Sequence, residues 1–348
     1  MRHALLAAAA ALALALALPA SAQQDTETRP GPADIVNAAP QEDWVVIPPE
    51  DLLVMTLAPD AEGNAREVVI QLMPPPFSQG WVENIRLLAR ERWYDGTSVN
   101  RVQDNYVVQW GDPNYDNPEA AGKPKPLPEG LKVMGEEEYS QPYLKATAFP
   151  AMSFAEDAEF FRTLCVVENP GTPAEEETCF EEEVWPPPTQ FARGWAFATN
   201  SRDAWPVHCY GMVGVGRNYS PDTGSGAELY TVIGHAPRHL DRNIALIGRV
   251  IGGMEHLSSL PRGKGELGFY SAEERDKRTP ILSVRIASEL PEEERPLYEY
   301  LSTESDIFAR YAEARANRRD AFFITPAGGA DICNIPVPVR AFEYAGGE

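Results

Sequence analysis

The chain has 348 residues, of which 52 are Asp or Glu and 30 are Lys or Arg, so its formal net charge is -22 at pH 7. A chain this acidic is repelled by nucleic acid and by anionic membrane surfaces, which excludes partners that bind through general attraction to a basic surface. Charge on this scale bears on solubility and on partners, not on the fold.

Residues 1–22 are typical of a cleaved export signal. Arg2 is followed by an unbroken Ala/Leu run, then by Pro19 and the small-residue site Ala20-Ser21-Ala22, which predicts cleavage before Gln23. The apolar run is shorter than the roughly 20 residues of a membrane span, so no stable membrane insertion is expected, and a retained anchor is the alternative. We therefore expect the mature chain in the periplasm.

A folded domain is expected over residues 43–289, after residues 23–42, which are polar, lack periodicity and are predicted to be a disordered leader. Four short stretches have the composition and spacing of strands, and one stretch between them has helical spacing. In chain order these are the strands Leu52–Leu57 and Val68–Met73, the helix over residues 78–91, and the strands Thr97–Val102 and Tyr106–Trp110.

A long stretch rich in Pro, Glu and Gly, residues 113–194, interrupts this pattern and contains one weakly helical patch, Glu156–Leu164. A structureless loop of that length is unusual in a compact domain, so we expect an inserted subdomain or a lid. The strand pattern returns in Gly211–Val215, Leu229–Ile233, Ala245–Ile251 and Ile281–Ala287, with a short helix at Met254–Leu260. About eight strands and two helices without βαβ alternation predict a mainly β fold, a closed antiparallel barrel of eight strands capped by two helices.

Residues 290–348 are predicted to form a C-terminal helical extension. Residues 291–319 have a charged helical pattern that begins near Pro291 and restarts at Ser302 or Thr303, which are candidate N-caps.

The four cysteines suggest disulfides, because an even count in an oxidising compartment is typical of paired cysteines. Three pairings are possible. The Pro-, Gly- and Glu-rich stretch between Cys165 and Cys179 favours that pair, which leaves Cys209 with Cys333; four reduced, buried thiols are the alternative.

Two blocks of sequence carry the chemistry. The first block contains Trp93-Tyr94-Asp95-Gly96, then Asn100-Arg101-Val102, then Tyr106-Val107-Val108-Gln109-Trp110-Gly111-Asp112-Pro113; the second contains Met212–Gly216, Gly226–Tyr230, Leu240-Asp241 and Gly248-Arg249-Val250. Together they resemble the signature of the cyclophilin family of peptidyl-prolyl cis-trans isomerases, usually Tyr-Tyr-Asp-Gly, Phe-His-Arg-Val and Phe-Met-x-Gln-Gly-Gly-Asp-Pro. The stretch from Ala236 to Asn243 is similar to a bacterial and chloroplast-lumen branch of that family.

The resemblance implies a cyclophilin-like barrel that isomerises X-Pro bonds, with proline-containing polypeptides as partners and no cofactor. A guanidinium suits this chemistry because it stays charged and can donate to the nitrogen of a twisted prolyl amide, or to the adjacent carbonyl. By resemblance, the catalytic residue is Arg101; Tyr106, Val107, Tyr230 and Leu240 line the proline pocket; Gln109, Gly214 and Glu228 bond the substrate backbone; Val213, Val215 and His239 lie along the rim; and Ile244 stands in the pocket wall.

Six positions depart from the family pattern: Asn100 replaces His, Val107 replaces Met, Trp110 replaces Gly, Glu228 replaces Gln, Tyr230 replaces Phe and Ile244 replaces His. Glu228 adds a charge that could pair with Arg101 and compete with the substrate carbonyl. The alternative function is therefore a non-catalytic cyclophilin-like module that binds peptides or acts as a chaperone.

No metal site is predicted, because the mature histidines lack the spacing of zinc ligands: they are His208, His235, His239 and His256. The glycine-rich stretches also lack the following helix and lysine of a phosphate site. We expect the protein to be a monomer.

Overall fold

A computed structural model of the chain describes residues 29–115, 117–143, 152–153, 161–168, 176–183 and 186–343. The strands are β1 (Trp44–Val46), β2 (Leu52–Leu57), β3 (Arg66–Leu72), β4 (Ser98–Val102), β5 (Val107–Gly111), β6 (Gln141–Pro142), β7 (Met152–Ser153), β8 (Phe161–Glu168), β9 (Glu176–Glu183), β10 (Thr189–Ala192), β11 (Trp195–Thr199), β12 (Asp203–Pro206), β13 (Met212–Val215), β14 (Leu229–Val232), β15 (Leu246–Gly252), β16 (Ile281–Ile286), β17 (Tyr298–Leu301) and β18 (Val339–Ala341). The α-helices are α1 (Pro32–Asn37), α2 (Gln79–Arg90), α3 (Glu255–Ser258) and α4 (Asp306–Ala316).

Eight strands form one antiparallel sheet in the order β16-β2-β3-β15-β13-β14-β5-β4. The two end strands approach each other through backbone hydrogen bonds. The N–H of Val99 donates to the carbonyl of Thr279 at 2.9 Å, and the N–H of Ile281 donates to the carbonyl of Thr97 at 2.9 Å. The sheet is therefore a nearly closed barrel, which confirms the predicted mainly β fold.

The barrel interior is the main hydrophobic core, and both helices that were predicted contribute to it. On α2 the apolar face is buried, with Trp81 and Ile85 inside the core and Arg86 and Arg90 outside. The indole N–H of Trp81 donates to the carbonyl of Thr223 at 3.1 Å, so this large side chain is buried without losing its hydrogen bond. From α3, Leu257 enters the same core.

The predicted insertion contains more regular structure than its composition indicated. Strands β6, β12, β11, β10 and β7 form a second antiparallel sheet, and β8 pairs with β9 in a hairpin. The patch Glu156–Leu164 was predicted to be helical, but its described part is the start of β8; residues 156–160 lie outside the described residues. The second sheet also extends past residue 194, because β11 and β12 continue it to Pro206.

The second sheet lies between the barrel and the C-terminal extension. On one side Phe197 and Ala204 pack with Met73 and Met212 of the barrel region. The residues on its other side pack with the extension and the N-terminal segment: Phe191, Ala198, Trp205, Leu301, Phe308 and Ile332 share one cluster with Ile35 and Trp44.

Two expectations for the chain ends are corrected by this packing. The leader was predicted to be disordered up to residue 42, yet α1 forms because Ile35 is buried against the cluster that contains Phe308. The tail was predicted to be helical from Pro291, but β17 pairs with β1 and β18 first, and α4 begins only after Ser305, whose hydroxyl accepts from the N–H of Phe308. Residues 1–22, which are predicted to be an export signal, lie outside the described residues.

A disulfide joins Cys209, which follows β12 of the second sheet, to Cys333 in the C-terminal extension. This bond confirms that predicted pair. Cys179 is also disulfide-bonded, and the register of the β8–β9 hairpin places the backbone of Cys165 directly opposite it. Within the described residues, no helix is long and apolar enough to cross a membrane.

We expect Phe308→Ala to lower the free energy of unfolding by about 3–5 kcal/mol, because it removes a fully buried aromatic ring and leaves a cavity. Phe308 is 0% exposed in the cluster that joins the second sheet to α4, whereas Phe322 is 84% exposed and provides a matched control. Denaturant unfolding of both variants measures the difference. A loss for Phe308→Ala as small as that for Phe322→Ala would show that the extension is not part of the cooperative fold.

Candidate functional site

A cleft of about 770 Å³ lies on the outside of the barrel, along β4, β5 and β14. Eight of the predicted site residues line it: Arg101, Tyr106, Val107, Gln109, Glu228, Tyr230, Leu240 and Ile244. They come from four separate stretches of the chain and meet because the barrel pairs β5 with both β4 and β14.

Arg101 is turned outward by a β-bulge in β4. The register between β4 and β5 shifts between Val99 and Arg101, so that Val99 and Val102 both face the core while Arg101 faces the cleft. The extra residue, Asn100, is buried and satisfied: its amide accepts from Ser98 Oγ at 2.7 Å and donates to the carbonyl of Gly111 at 3.0 Å.

The guanidinium of Arg101 is held by three hydrogen bonds and two aromatic rings. It donates to the carbonyl of Leu267 from Nε at 2.7 Å and to Gln109 Oε1 from Nη1 at 3.1 Å, and Nη2 donates to Gln103. It also lies over two aromatic rings, 5.7 Å from the centroid of Tyr106 and 5.4 Å from that of Phe269. Because a guanidinium has five N–H donors, these three hydrogen bonds leave two for a ligand in the cleft.

Burial lowers the pKa of Arg101, and the nearby Tyr106 and Tyr230 oppose that shift. Arg101 nevertheless stays protonated at neutral pH, because a guanidinium does not lose its proton in proteins. The cleft therefore presents a fixed and partly desolvated positive charge, and such a charge interacts more strongly with a ligand than one in water does.

An apolar pocket lies next to this charge. Val107, Tyr230 and Val232 form a buried cluster, and Tyr106 and Ile244 pack against it. Leu240 reaches the same cleft from the 3₁₀ turn Arg238–Leu240. The pocket is thus closed on its inner side by side chains and open on the outer side.

Tyr230 has a hydroxyl that the phenylalanine usual at this position would lack. This hydroxyl has a buried partner. It lies 2.9 Å from Nε2 of His208, whose Nδ1 lies 2.9 Å from Oδ1 of Asp241. Asp241 Oδ2 in turn accepts from Nε of Arg238 at 2.6 Å. Burial lowers the pKa of His208, and the hydrogen bond with Asp241 opposes that shift.

Glu228 is buried beside the cleft rather than paired with Arg101. In the described part of the chain, Arg101 donates to Gln103, Gln109 and Leu267, and its guanidinium forms no ion pair with Glu228. The carboxylate of Glu228 occupies the space next to Gly111, where a Cβ would overlap it. Gly111 has φ of +149°, which also favours glycine at this position.

Four predicted site residues do not line the cleft. Val213 and Val215 were expected along the rim, but they point into the barrel core because their positions on β13 alternate with Gly214. Gly214 faces outward, and the phenol ring of Tyr230 covers it. His239 is exposed beside the cleft, where its ring stacks on Tyr106 at 6.5 Å between centroids.

Several cleft residues were not predicted from the sequence, and they lie in loops or in the 3₁₀ helix Glu266–Gly268: Asn114, Asn117, Pro118, Arg217, Asn218, Tyr219, Glu266, Leu267 and Phe269. Loop residues have no periodicity that would indicate which of them face a ligand. The stretch around Phe269 joins β4 through a backbone bridge between Arg101 and Phe269, a long-range pairing that no local pattern specifies. Within the described residues there is no group of three or more side chains that could hold a metal ion.

The chain is similar to known proteins in its sequence and in its fold. The family model of the cyclophilin type peptidyl-prolyl cis-trans isomerases matches residues 66–288. Among solved structures, the chain is similar to cyclophilin AquaCyp293 from Hirschia baltica, with 19% sequence identity and a TM-score of 0.58 over 87% of this chain and 95% of that chain. A Cryptosporidium parvum cyclophilin type peptidyl-prolyl cis-trans isomerase in the presence of the dipeptide Ala-Pro has 11% identity and a TM-score of 0.33, over 67% of this chain and 98% of that chain. No curated protein matches.

We expect the free energy of unfolding to decrease as the pH falls, in part through His208. The pKa of His208 is lowered from 6.5 in the folded protein, so the unfolded chain takes up a proton first as the pH falls. The stability that the neutral ring provides above pH 6.5 is therefore lost as the pH falls toward the pKa of the folded state. Unfolding at about pH 7.5 and about pH 5 should show a loss about 1 kcal/mol larger in wild type than in His208→Gln. The exposed His235, changed to Gln, is the control, and equal losses in wild type and His208→Gln would contradict the prediction.

Proposed function

The chain belongs to the family of cyclophilin type peptidyl-prolyl cis-trans isomerases and is an enzyme of that class, and on this premise we propose that it isomerises X-Pro bonds of exported proteins and assists their folding. Members of this family bind proline-containing peptides. Arg101 is the proposed catalytic residue, and the apolar pocket beside it is the proposed site for the proline ring.

The observation that carries this role is the position of Arg101. Its guanidinium donates to three acceptors and lies near two aromatic rings, which leaves two of its five N–H groups for a ligand. Rotation about an X-Pro bond is held back by amide resonance, with a barrier of about 18–20 kcal/mol. In the twisted state the prolyl nitrogen regains its lone pair, so a fixed donor at that nitrogen, or at the adjacent carbonyl, stabilises the transition state more than either planar ground state.

The rest of the cleft supports such a rotation. The cluster of Val107, Tyr230 and Val232 provides an apolar surface against which a proline ring would be held while the preceding segment turns. Gln109 already accepts from Arg101 through Oε1, so its amide nitrogen is the group that would donate to a substrate carbonyl. This step requires no nucleophile, acid–base pair or cofactor.

The proposal that the substrates are exported proteins rests on two features. Residues 1–22 have the charge, apolar run and small-residue site of a cleaved signal, and cleavage before Gln23 would release the mature enzyme into the periplasm. The disulfide between Cys209 and Cys333 also favours an oxidising compartment.

We expect Arg101→Ala to lower kcat/KM by about 100- to 1000-fold, because it removes the donor that acts only on the twisted amide. A protease-coupled assay with an Ala-Pro and a Leu-Pro tetrapeptide measures the rate, and circular dichroism checks the fold. Arg101→Lys is the matched control: it keeps the charge but loses the forked geometry, so an intermediate rate is expected. A wild type no faster than buffer would favour the alternative, a binding module, and full activity in Arg101→Ala would contradict the proposed catalytic role.

We expect a periplasmic fraction of cells expressing the full chain to contain a protein whose first residue is Gln23. Ala22→Arg, which places a large cation at the cleavage site, should leave the signal attached. Amino-terminal sequencing of both proteins measures this. A wild-type protein that still begins at Met1 and is found in the cytoplasmic fraction would contradict the proposed export.

A further inference from the structure

A chain of buried hydrogen bonds lies behind the proposed proline pocket, on the side away from the substrate. It begins at the hydroxyl of Tyr230, passes through the ring of His208 and ends at Asp241 and Arg238. All four residues are at most 9% exposed, so water does not compete for these bonds. The backbone N–H of His208 also donates to Asp241 at 2.9 Å, which fixes the histidine at both its main chain and its ring.

The direction of each hydrogen bond follows from chemistry. Asp241 forms an ion pair with Arg238, and a carboxylate only accepts, so Nδ1 of His208 carries the proton and donates to it. The lowered pKa of the buried His208 keeps its ring neutral at neutral pH, which makes Nε2 an acceptor. The Tyr230 hydroxyl therefore donates to Nε2, and the hydrogen bonds from Tyr230 to His208 and from His208 to Asp241 run in one direction.

The ring of Tyr230 has little freedom in this position. It lies across Gly214, its partner on β13, so closely that a Cβ at that residue would overlap the phenol end. Its ring is also nearly parallel to that of His208, with an angle of 9° between the planes. The same ring contributes to the floor of the pocket together with Val107 and Val232.

We propose that His208 is a positioning residue for the isomerase reaction: by accepting the Tyr230 hydroxyl, it holds the ring of Tyr230 back so that the proline ring can enter. This inference rests on the function proposed above. A buried hydroxyl without a partner costs about 1–3 kcal/mol. Without His208, the phenol would therefore turn toward the open cleft to reach water, and it would occupy the space of the proline ring.

The test compares four variants with wild type in the tetrapeptide assay, with kcat and KM measured separately. His208→Phe should raise KM about tenfold, while kcat changes much less. His208→Gln, which keeps an acceptor near the position of Nε2, should stay within about twofold of wild type. Tyr230→Phe removes the hydroxyl but keeps an apolar ring in the pocket, so its own KM is measured as the reference for the double variant.

The decisive variant is the double change His208→Phe with Tyr230→Phe. The ring at residue 230 then has no hydroxyl to hydrate, so the KM of the double variant should fall from that of His208→Phe to that of Tyr230→Phe. A histidine that only stabilises the fold would not produce this recovery. A KM for the double variant as high as that for His208→Phe, or a wild-type KM for His208→Phe, would overturn the proposal.

Two further measurements keep the test decisive. If His208→Phe does not fold, His208→Asn replaces it, because its amide can still donate to Asp241 but does not extend to Tyr230; the same rise in KM is expected. If wild type does not accelerate isomerisation, the proposed function fails, and the positioning role is read from the Kd of an Ala-Pro peptide by NMR titration. The same order of the variants would then support the role of His208, and equal Kd values would overturn it.

Discussion

The alternation of side chains between the inside and the outside of the barrel is the constraint on which the site depends. On β5, Val108 and Trp110 fill the core, so Val107 and Gln109 must face the cleft. A shift of one residue in the pairing would move the pocket into the core and the core into solvent. The bulge beside Arg101 is the local exception that turns its guanidinium outward without exposing the apolar neighbours.

Polar groups next to an apolar pocket are costly unless they are paired, and this cleft pairs them with one another. Arg101 is bonded to acceptors from three stretches of chain, and Asn100 bonds within the barrel wall. The tyrosine at position 230 is accommodated because a glycine on the next strand provides room and a buried histidine accepts the hydroxyl. Two of the departures from the usual family pattern, Asn100 and Tyr230, therefore depend on neighbours that fit them.

The barrel could be predicted because its strands have apolar stretches bounded by turn residues; β2, for example, coincides with the predicted Leu52–Leu57. The second sheet could not be predicted, because its strands are short and the sequence around them is rich in Pro and Glu. These strands are also buried only by tertiary packing. For the site, the two blocks of sequence motifs identified the cleft residues that lie on strands. His208 was missed as part of it because its partners, Tyr230 and Asp241, are separated from it by 22 and 33 residues.

The link between the pocket and the C-terminal region has a consequence for biogenesis. Arg238, at the end of the buried chain, also contacts Asp331, and Cys333 is joined to Cys209, the neighbour of His208. Strand β1 likewise pairs with β17, so the two ends of the described chain meet in one small sheet. Contacts this distant in sequence form late and slow the folding of a domain. If the chain is exported as proposed above, the barrel would emerge well before the segment that supports its pocket, so the binding site would be completed only after nearly all of the chain had crossed the membrane.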